Sequence, residues 1–313
     1  MAVPDFVIAG AQKAGTSTLF ELLSAHPDVH RSPVKEPHFF CVDPLTGRLP
    51  WRGPYDQRIF AGAVTSPSAY VELFADAAGR LTGDASTGYL ADPEVPGRLA
   101  AARPDVKVIV ILRDPVLRAF SAWKMWRRVG FEPLQFADAL EAEEERRAAG
   151  WSSTYRYLAN GDYADQLDRW RSAVGSSKLH LITTDSLQRS QRLAVAGVTS
   201  FLDISPPREA AEILHVNVGG AIPRSYSTQQ LLRRRGVGRR ILHRLPKELA
   251  TTIHARVRQI NSISATIDPT LEVELRARFA SQLDRLEADY GLDVAAWRGP
   301  AGDRHTKACE DRR

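Results

Sequence analysis

Three short runs of aliphatic residues, Phe6 to Ala9 (FVIA), Lys107 to Leu112 (KVIVIL) and Leu179 to Thr183 (LHLIT), constrain this chain more than any other feature. Each is brief and rich in β-branched residues, and reads as a parallel strand buried on both faces. Between them, Thr16 to Ala25, Val116 to Arg128, Leu134 to Ala149, Asp162 to Val174 and Pro269 to Tyr290 space their apolar residues at helical intervals. Strands alternating with helices predict an α/β fold, a doubly wound sheet with a central parallel β-sheet flanked by helices. At 313 residues, 43% hydrophobic and 25% charged, a single domain over residues 1–298 is expected. Residues 43–68 carry several Gly and Pro and read as an irregular excursion. Residues 299–313 (GPAGDRHTKACEDRR) have almost nothing to bury and read as a disordered tail.

The formal charge of +5 and pI near 9.3 favour an anionic ligand or acceptor. The excess is spread along the chain with no long basic arm, so nucleic acid is not expected as a partner. Cys41 and Cys309 are the only cysteines, without CxxC or Cys/His zinc spacing, which argues against a disulfide framework and for a reducing compartment. The start, MAVPDFVIAGAQ, lacks a basic stretch followed by a long apolar one, and no run of about 18 apolar residues occurs elsewhere. A cytoplasmic protein with no integral membrane segment is the expectation.

The chemistry begins where the first strand ends. Gly10-Ala11-Gln12-Lys13-Ala14-Gly15-Thr16-Ser17-Thr18 joins a buried strand to a helix N-terminus, the geometry of a phosphate cradle. The loop is P-loop-like, with a departure: in GxxxxGK[ST] the lysine follows the second glycine, whereas Thr16 follows Gly15 and the one lysine, Lys13, lies inside the loop. A nucleoside triphosphate with magnesium therefore fits less well than a group presented from a 5′-phosphate. A second cluster, Lys35-Glu36-Pro37-His38-Phe39-Phe40, places Glu36 and His38 two apart, so an extended segment points both the same way. A carboxylate beside an imidazole suits deprotonation of a hydroxyl, with Phe39 and Phe40 excluding water. In the third, Arg113 ends the second strand at the edge where open α/β sheets bind ligands. Pro115 suits the first turn of the next helix, and Ser121 lies about two turns along it, in reach of a phosphate held by the guanidinium. Each cluster has a plain structural alternative: a tight turn without a ligand, a surface Glu with a core-capping His, an Arg113 paired with a neighbouring acid.

Together and in this order, FVIAGAQKAGTSTLFELLSAHPDV, KEPHFF and VIVILRDPVLRAFSAW resemble the defining segments of sulfotransferases dependent on 3′-phosphoadenosine-5′-phosphosulfate (PAPS), and most closely the heparan-sulfate-type carbohydrate branch. The likeness runs on through YRYLANGDYADQLDRW, Asp185-Ser186-Leu187, HVNVGGAIPR and LEADYGLDVAAW, covering most of residues 5–297. It implies the sulfotransferase fold, PAPS as donor, no metal, and sulfuryl transfer by in-line displacement. By resemblance, Ala11, Gln12, Lys13, Ala14, Gly15, Thr16, Ser17 and Thr18 hold the 5′-phosphosulfate end, and Lys13 stabilises charge on the bridging oxygen. Arg113 and Ser121 grip the 3′-phosphate. Glu36 matches the catalytic base, His38 a histidine beside the acceptor, and Gly220 and Arg224 a late loop over the nucleotide.

Members of this branch often carry a lysine in the segment that here reads Gly83-Asp84-Ala85-Ser86-Thr87-Gly88-Tyr89. Asp84 and Ser86 are retained as candidates on the acceptor side, with a structural cap as the alternative for Asp84. The Arg233 to Arg244 stretch is either a solvated helix face or a peripheral contact with an anionic acceptor or membrane. Trp123, Trp126, Trp151, Tyr155 and Tyr157 divide between core packing and stacking on an acceptor. A carbohydrate, glycolipid or glycosylated natural product stays open as acceptor. The rivals are a P-loop-type kinase and a non-catalytic nucleotide- or glycan-binding protein.

Overall fold

The computed structural model describes residues 3–206, 221–226 and 261–299; Gly220, the basic stretch 233–244 and residues 300–313 lie outside them. Five strands form one parallel sheet: β1 (Phe6–Gly10), β2 (Val29–His30), β3 (Leu81–Asp84), β4 (Lys107–Leu112) and β5 (Leu179–Thr183), in the order β2-β3-β1-β4-β5. All of β1 is buried, and so is β4 from Val108 to Leu112. Consecutive strand residues face opposite sides, so both faces of the sheet are covered, which is why FVIAG and VIVIL run apolar without alternation. β1 lies in the middle, and the chain changes sides between β3 and β4. That switch opens a crevice at the carboxyl ends of β1 and β4.

The principal helices are α1 (Thr16–Ser24), α2 (Val95–Ala102), α3 (Pro115–Val129), α4 (Tyr163–Val174), α5 (Thr184–Arg189), α6 (Gln191–Phe201) and α7 (Pro269–Tyr290). α3 starts as its sequence dictates: Pro115 occupies the first turn and Asp114 Oδ1 accepts the N–H groups of Val116 (2.8 Å) and Leu117 (3.2 Å). The single helix expected over 134–149 is instead two pieces, Phe136–Glu141 and Glu143–Ala148, with Ala142 ending one and starting the other. Residues 43–68 are largely irregular, with a short helix at Asp56–Ile59 and another, Pro67–Glu72, starting at the end of the span.

Two apolar clusters hold the structure. One surrounds the sheet and takes in Trp170, Leu283, Leu286 and Trp297. The other packs Phe120, Trp123 and Trp126 of α3 against Phe136, Tyr155, Tyr157, Leu275 and Phe279. Among the described residues no helix is long and apolar enough to cross a membrane.

Candidate active site

The loop after β1 is fixed from three sides. Ala11 N–H donates to Ile111 O (2.7 Å), Thr184 Oγ1 donates to Ala14 O (2.6 Å), and Arg113 Nη1 donates to Lys13 O (3.0 Å). Gly15 precedes α1 at φ 107°, and a Cβ there would lie 3.3 Å from Leu187 Cδ2, so both backbone and space call for glycine. α1 has no side-chain cap and no acid in its first turn. Its leading N–H groups, with the hydroxyls of Thr16, Ser17 and Thr18, form an anion-binding end.

Cations crowd this end. The Lys13 ammonium lies 3.6 Å from Met125 Sδ and is pushed down to about 8, first by burial and then by Arg128, Arg113, Lys35 and Lys124. Burial likewise lowers Arg113, whose carbonyl accepts from the Tyr163 hydroxyl at 2.9 Å, and Lys124. Positive charge held against desolvation and mutual repulsion is what a bound polyanion relieves.

The acid stands on the same cavity. Glu36 Oε2 accepts from Thr87 N–H (2.8 Å) and Thr87 Oγ1 (3.0 Å), Glu36 Oε1 from Lys35 Nζ (2.9 Å), and His38 Nε2 lies 3.4 Å from Glu36 Oε2. The two side chains do meet, but not through an extended segment. Glu36 and His38 have φ 60° and 52°, and His38 starts a short 3₁₀ turn at Phe39–Cys41, so a tight left-handed turn brings them together. Lys13, at φ 72°, shares this uncommon backbone. His38 packs edge-on against Phe60 (5.0 Å) and Trp51 (6.2 Å), and burial outweighs the pull of Glu36 to lower its pKa, which keeps the imidazole neutral at neutral pH.

One cavity of about 680 Å³ collects Ala11 through Thr18, Glu36, His38, Arg113 and Ser121, a size suited to a nucleotide-sized ligand. Other predicted positions lie elsewhere. Asp84 and Ser86 are buried and line no part of the cavity: Ser86 Oγ donates to Asp84 Oδ1 (2.7 Å) and accepts His38 N–H (3.0 Å). Arg224 is exposed on an antiparallel pair formed by β6 (Ile222–Pro223) and β7 (Ser262–Ile263), where its N–H donates to Asn261 O (2.7 Å). Of the aromatic residues weighed for stacking, Trp126 lines the cavity, while Trp123, Tyr155 and Tyr157 are buried in the second cluster.

Sequence reasoning missed Thr87, Lys124, Met125, Arg128 and Gln188, all on the cavity wall. A signal existed: Lys124, Met125 and Arg128 stand three, four and seven residues after Ser121, one face of α3. Among the described residues no cluster of three or more His, Cys, Asp or Glu side chains is placed to hold a metal ion.

A parallel sheet whose central strand runs through a glycine loop into an uncapped helix, beneath a basic cavity, defines a P-loop-like α/β protein that handles an anionic group. The family model for the sulfotransferase domain matches residues 3–218. The chain belongs to the sulfotransferase family. The solved sulfotransferase from Alicyclobacillus acidocaldarius superimposes with a TM-score of 0.73 at 30% identity, covering 96% of this chain and 100% of that one. Heparan sulfate glucosamine 3-O-sulfotransferase 3B1 of Mus musculus is 32% identical over 208 residues, 64% of this chain and 46% of that protein. Bifunctional heparan sulfate N-deacetylase/N-sulfotransferase 2 of Homo sapiens is 26% identical over 216 residues, 65% of this chain and 22% of that protein. The chain thus spans about half the length, or less, of the curated relatives it matches.

Proposed function

We propose that the protein transfers a sulfuryl group from PAPS to a hydroxyl or amine of a carbohydrate, glycolipid or glycosylated natural product. The observation that carries this reading is the convergence, on one cavity, of an uncapped helix N-terminus, the partly buried cations Lys13 and Arg113, and the Glu36 carboxylate. The residues fit the donor: the loop opens at Gly15, Lys13 and Arg113 are depressed in a way that an anion reverses, and Gln12 Oε1 is buried without a partner. PAPS supplies an activated sulfuryl group on a 5′-phosphate.

In this reading Ala11 to Thr18 hold the 5′-phosphosulfate, and Arg113 and Ser121 hold the 3′-phosphate. The acceptor's O–H or N–H proton passes to Glu36 as its oxygen or nitrogen bonds to sulfur and the opposite sulfur–oxygen bond breaks. Lys13 stabilises the charge left on the departing phosphate oxygen. Thr87 and Lys35 fix the Glu36 carboxylate so that it meets that proton without reorganising, and neutral His38 flanks the acceptor. The carbohydrate class of acceptor is supported by the heparan sulfate enzymes among the relatives.

Calorimetric titration with 3′-phosphoadenosine-5′-phosphate (PAP), 5′-AMP and magnesium ATP tests the donor. The expected result is a clear preference for PAP that disappears in Arg113→Ala. Glu36→Gln should retain PAP affinity while losing PAPS consumption with desulfated heparan oligosaccharides. Equal or better binding of magnesium ATP would return a kinase to first place, and unchanged turnover in Glu36→Gln would remove the base.

A further inference from the structure

The turn that carries Glu36 and His38 holds both residues in left-handed backbone, which side-chain-bearing residues leave unless their surroundings fix them. A buried polar network beneath the turn does the fixing. Asp84 is 1% exposed, and its carboxylate accepts from Tyr70 Oη (2.8 Å) and Tyr89 Oη (2.7 Å) at Oδ2 and from Ser86 Oγ (2.7 Å) at Oδ1. A hydroxyl has a single proton. With those protons committed to Asp84, the oxygens of Ser86 and Tyr89 face the turn as acceptors, and they take the N–H groups of His38 (3.0 Å) and Phe40 (3.3 Å). The third ring, Tyr70, stacks on Phe39 with centroids 4.2 Å apart.

We propose that Asp84 is a positioning residue for sulfuryl transfer, whose carboxylate orients three buried hydroxyls and so locks the left-handed turn that sets Glu36 and His38 on the cavity. This rests on the reading of Glu36 as the proton acceptor. Core filling does not account for the residue. An uncompensated carboxylate is unfavourable to bury, and burial raises this one to about 6 despite its three hydrogen bonds. An amide would occupy nearly the same volume, but its NH₂ donates. In Asp84→Asn at least one hydroxyl must reverse its bond, and its own proton, no longer committed to residue 84, stops fixing the lone pair that faces the turn.

The test compares wild type, Asp84→Asn and Ser86→Ala by amide hydrogen exchange, PAP calorimetry and PAPS consumption with desulfated heparan oligosaccharides. Asp84→Asn should exchange the His38 and Phe40 amides at least about tenfold faster while β4 amides stay protected and PAP affinity is unchanged. Its kcat should fall on the order of 10- to 100-fold at unchanged KM for PAPS, the scale of a displaced catalytic group. In a Glu36→Gln background the residual turnover should fall no further on adding Asp84→Asn, because its effect runs through the turn. A folded Asp84→Asn protein with wild-type exchange at His38 and Phe40, or with wild-type kcat, overturns the proposal. Should that variant fail to fold, Ser86→Ala removes the His38 acceptor alone and is judged by exchange at the His38 amide and by kcat. A wild type that neither binds PAP nor consumes PAPS overturns the sulfuryl-transfer reading instead, and the exchange data still decide whether Asp84 holds the turn.

Discussion

In the proposed reading, Lys13 is the residue that couples the fold to its ligand. Burial and four neighbouring cations bring its pKa from 10.5 to about 8. The unfolded chain keeps this proton up to 10.5 and the folded chain only to about 8. Between those values the unfolded state binds the extra proton, so the ligand-free fold gains stability as pH rises through that window; below about 8 the penalty for the buried ammonium is present in full. An anion that favours the protonated lysine must then bind more weakly as pH rises past 8. PAP phosphates complete their second ionisation near pH 6, so they contribute no change in that range. PAP affinity should fall roughly tenfold per unit above about pH 8, and Lys13→Met should abolish the dependence. Calorimetry between about pH 7 and 9.5 reads this directly. A flat wild-type profile would place Lys13 away from the phosphates.

At the scale of elements, α3 does more than connect β4 to the second core. Its buried face packs Phe120, Trp123 and Trp126, and the adjoining face presents Ser121, Lys124, Met125 and Arg128 to the cavity. Lys124 sits 4.7 Å over the Phe120 ring, and after burial its strongest depressing influence is Arg113, the residue assigned to the 3′-phosphate. Lys124→Gln should therefore weaken PAP by about tenfold, the loss of one charge-assisted contact, and leave 5′-AMP nearly unchanged. Equal weakening of both nucleotides would move Lys124 to the 5′ end. Elements with strong local patterns were legible from sequence: KVIVIL and LHLIT are β4 and β5, and Pro269–Tyr290 is α7. LTGD was not, although it is β3, because its place comes from partners remote in sequence. Asp5 Oδ2 accepts Thr82 N–H (2.6 Å), and a Cβ on Gly83 would come 2.3 Å from Phe6 Cζ. The site was legible where a loop or strand end defines it. The left-handed turn at Glu36 and His38 was not, since it depends on Ser86, Tyr89 and Asp84 some fifty residues away.

For the molecule as a whole, α7 and the turn at Trp297, which lie beyond the family match ending at residue 218, brace the candidate site. Arg276 of α7 bonds Asp114 Oδ2 (3.2 Å), beside Arg113 and at the cap of α3, and also the carbonyl of Trp297. Trp297 Nε1 donates to Asp185 Oδ2 (2.5 Å), next to the Thr184 that holds the glycine loop. The same segment buries Leu275, Phe279, Leu283, Leu286, Val294 and Trp297, each at 5% exposure or less. Losing one large core side chain costs about 2–5 kcal/mol, and total stability is about 5–15 kcal/mol, so removing all six takes away an amount comparable to the whole stability of the fold or larger. Residues 299–313 offer little to bury by composition, and we propose one cooperative domain over 1–298. A chain ended after Arg298 should melt in a single transition near the full-length temperature and bind PAP equally well, whereas one ended at residue 218 should show no cooperative melt and no PAP binding. In between, Trp297→Phe keeps the ring in the core but removes its N–H, and should loosen PAP several-fold with a small loss of melting temperature. A folded, PAP-binding chain of residues 1–218 would show that the carboxyl-terminal segment is an appendage, and that the Asp114 and Asp185 contacts carry no part of the donor site.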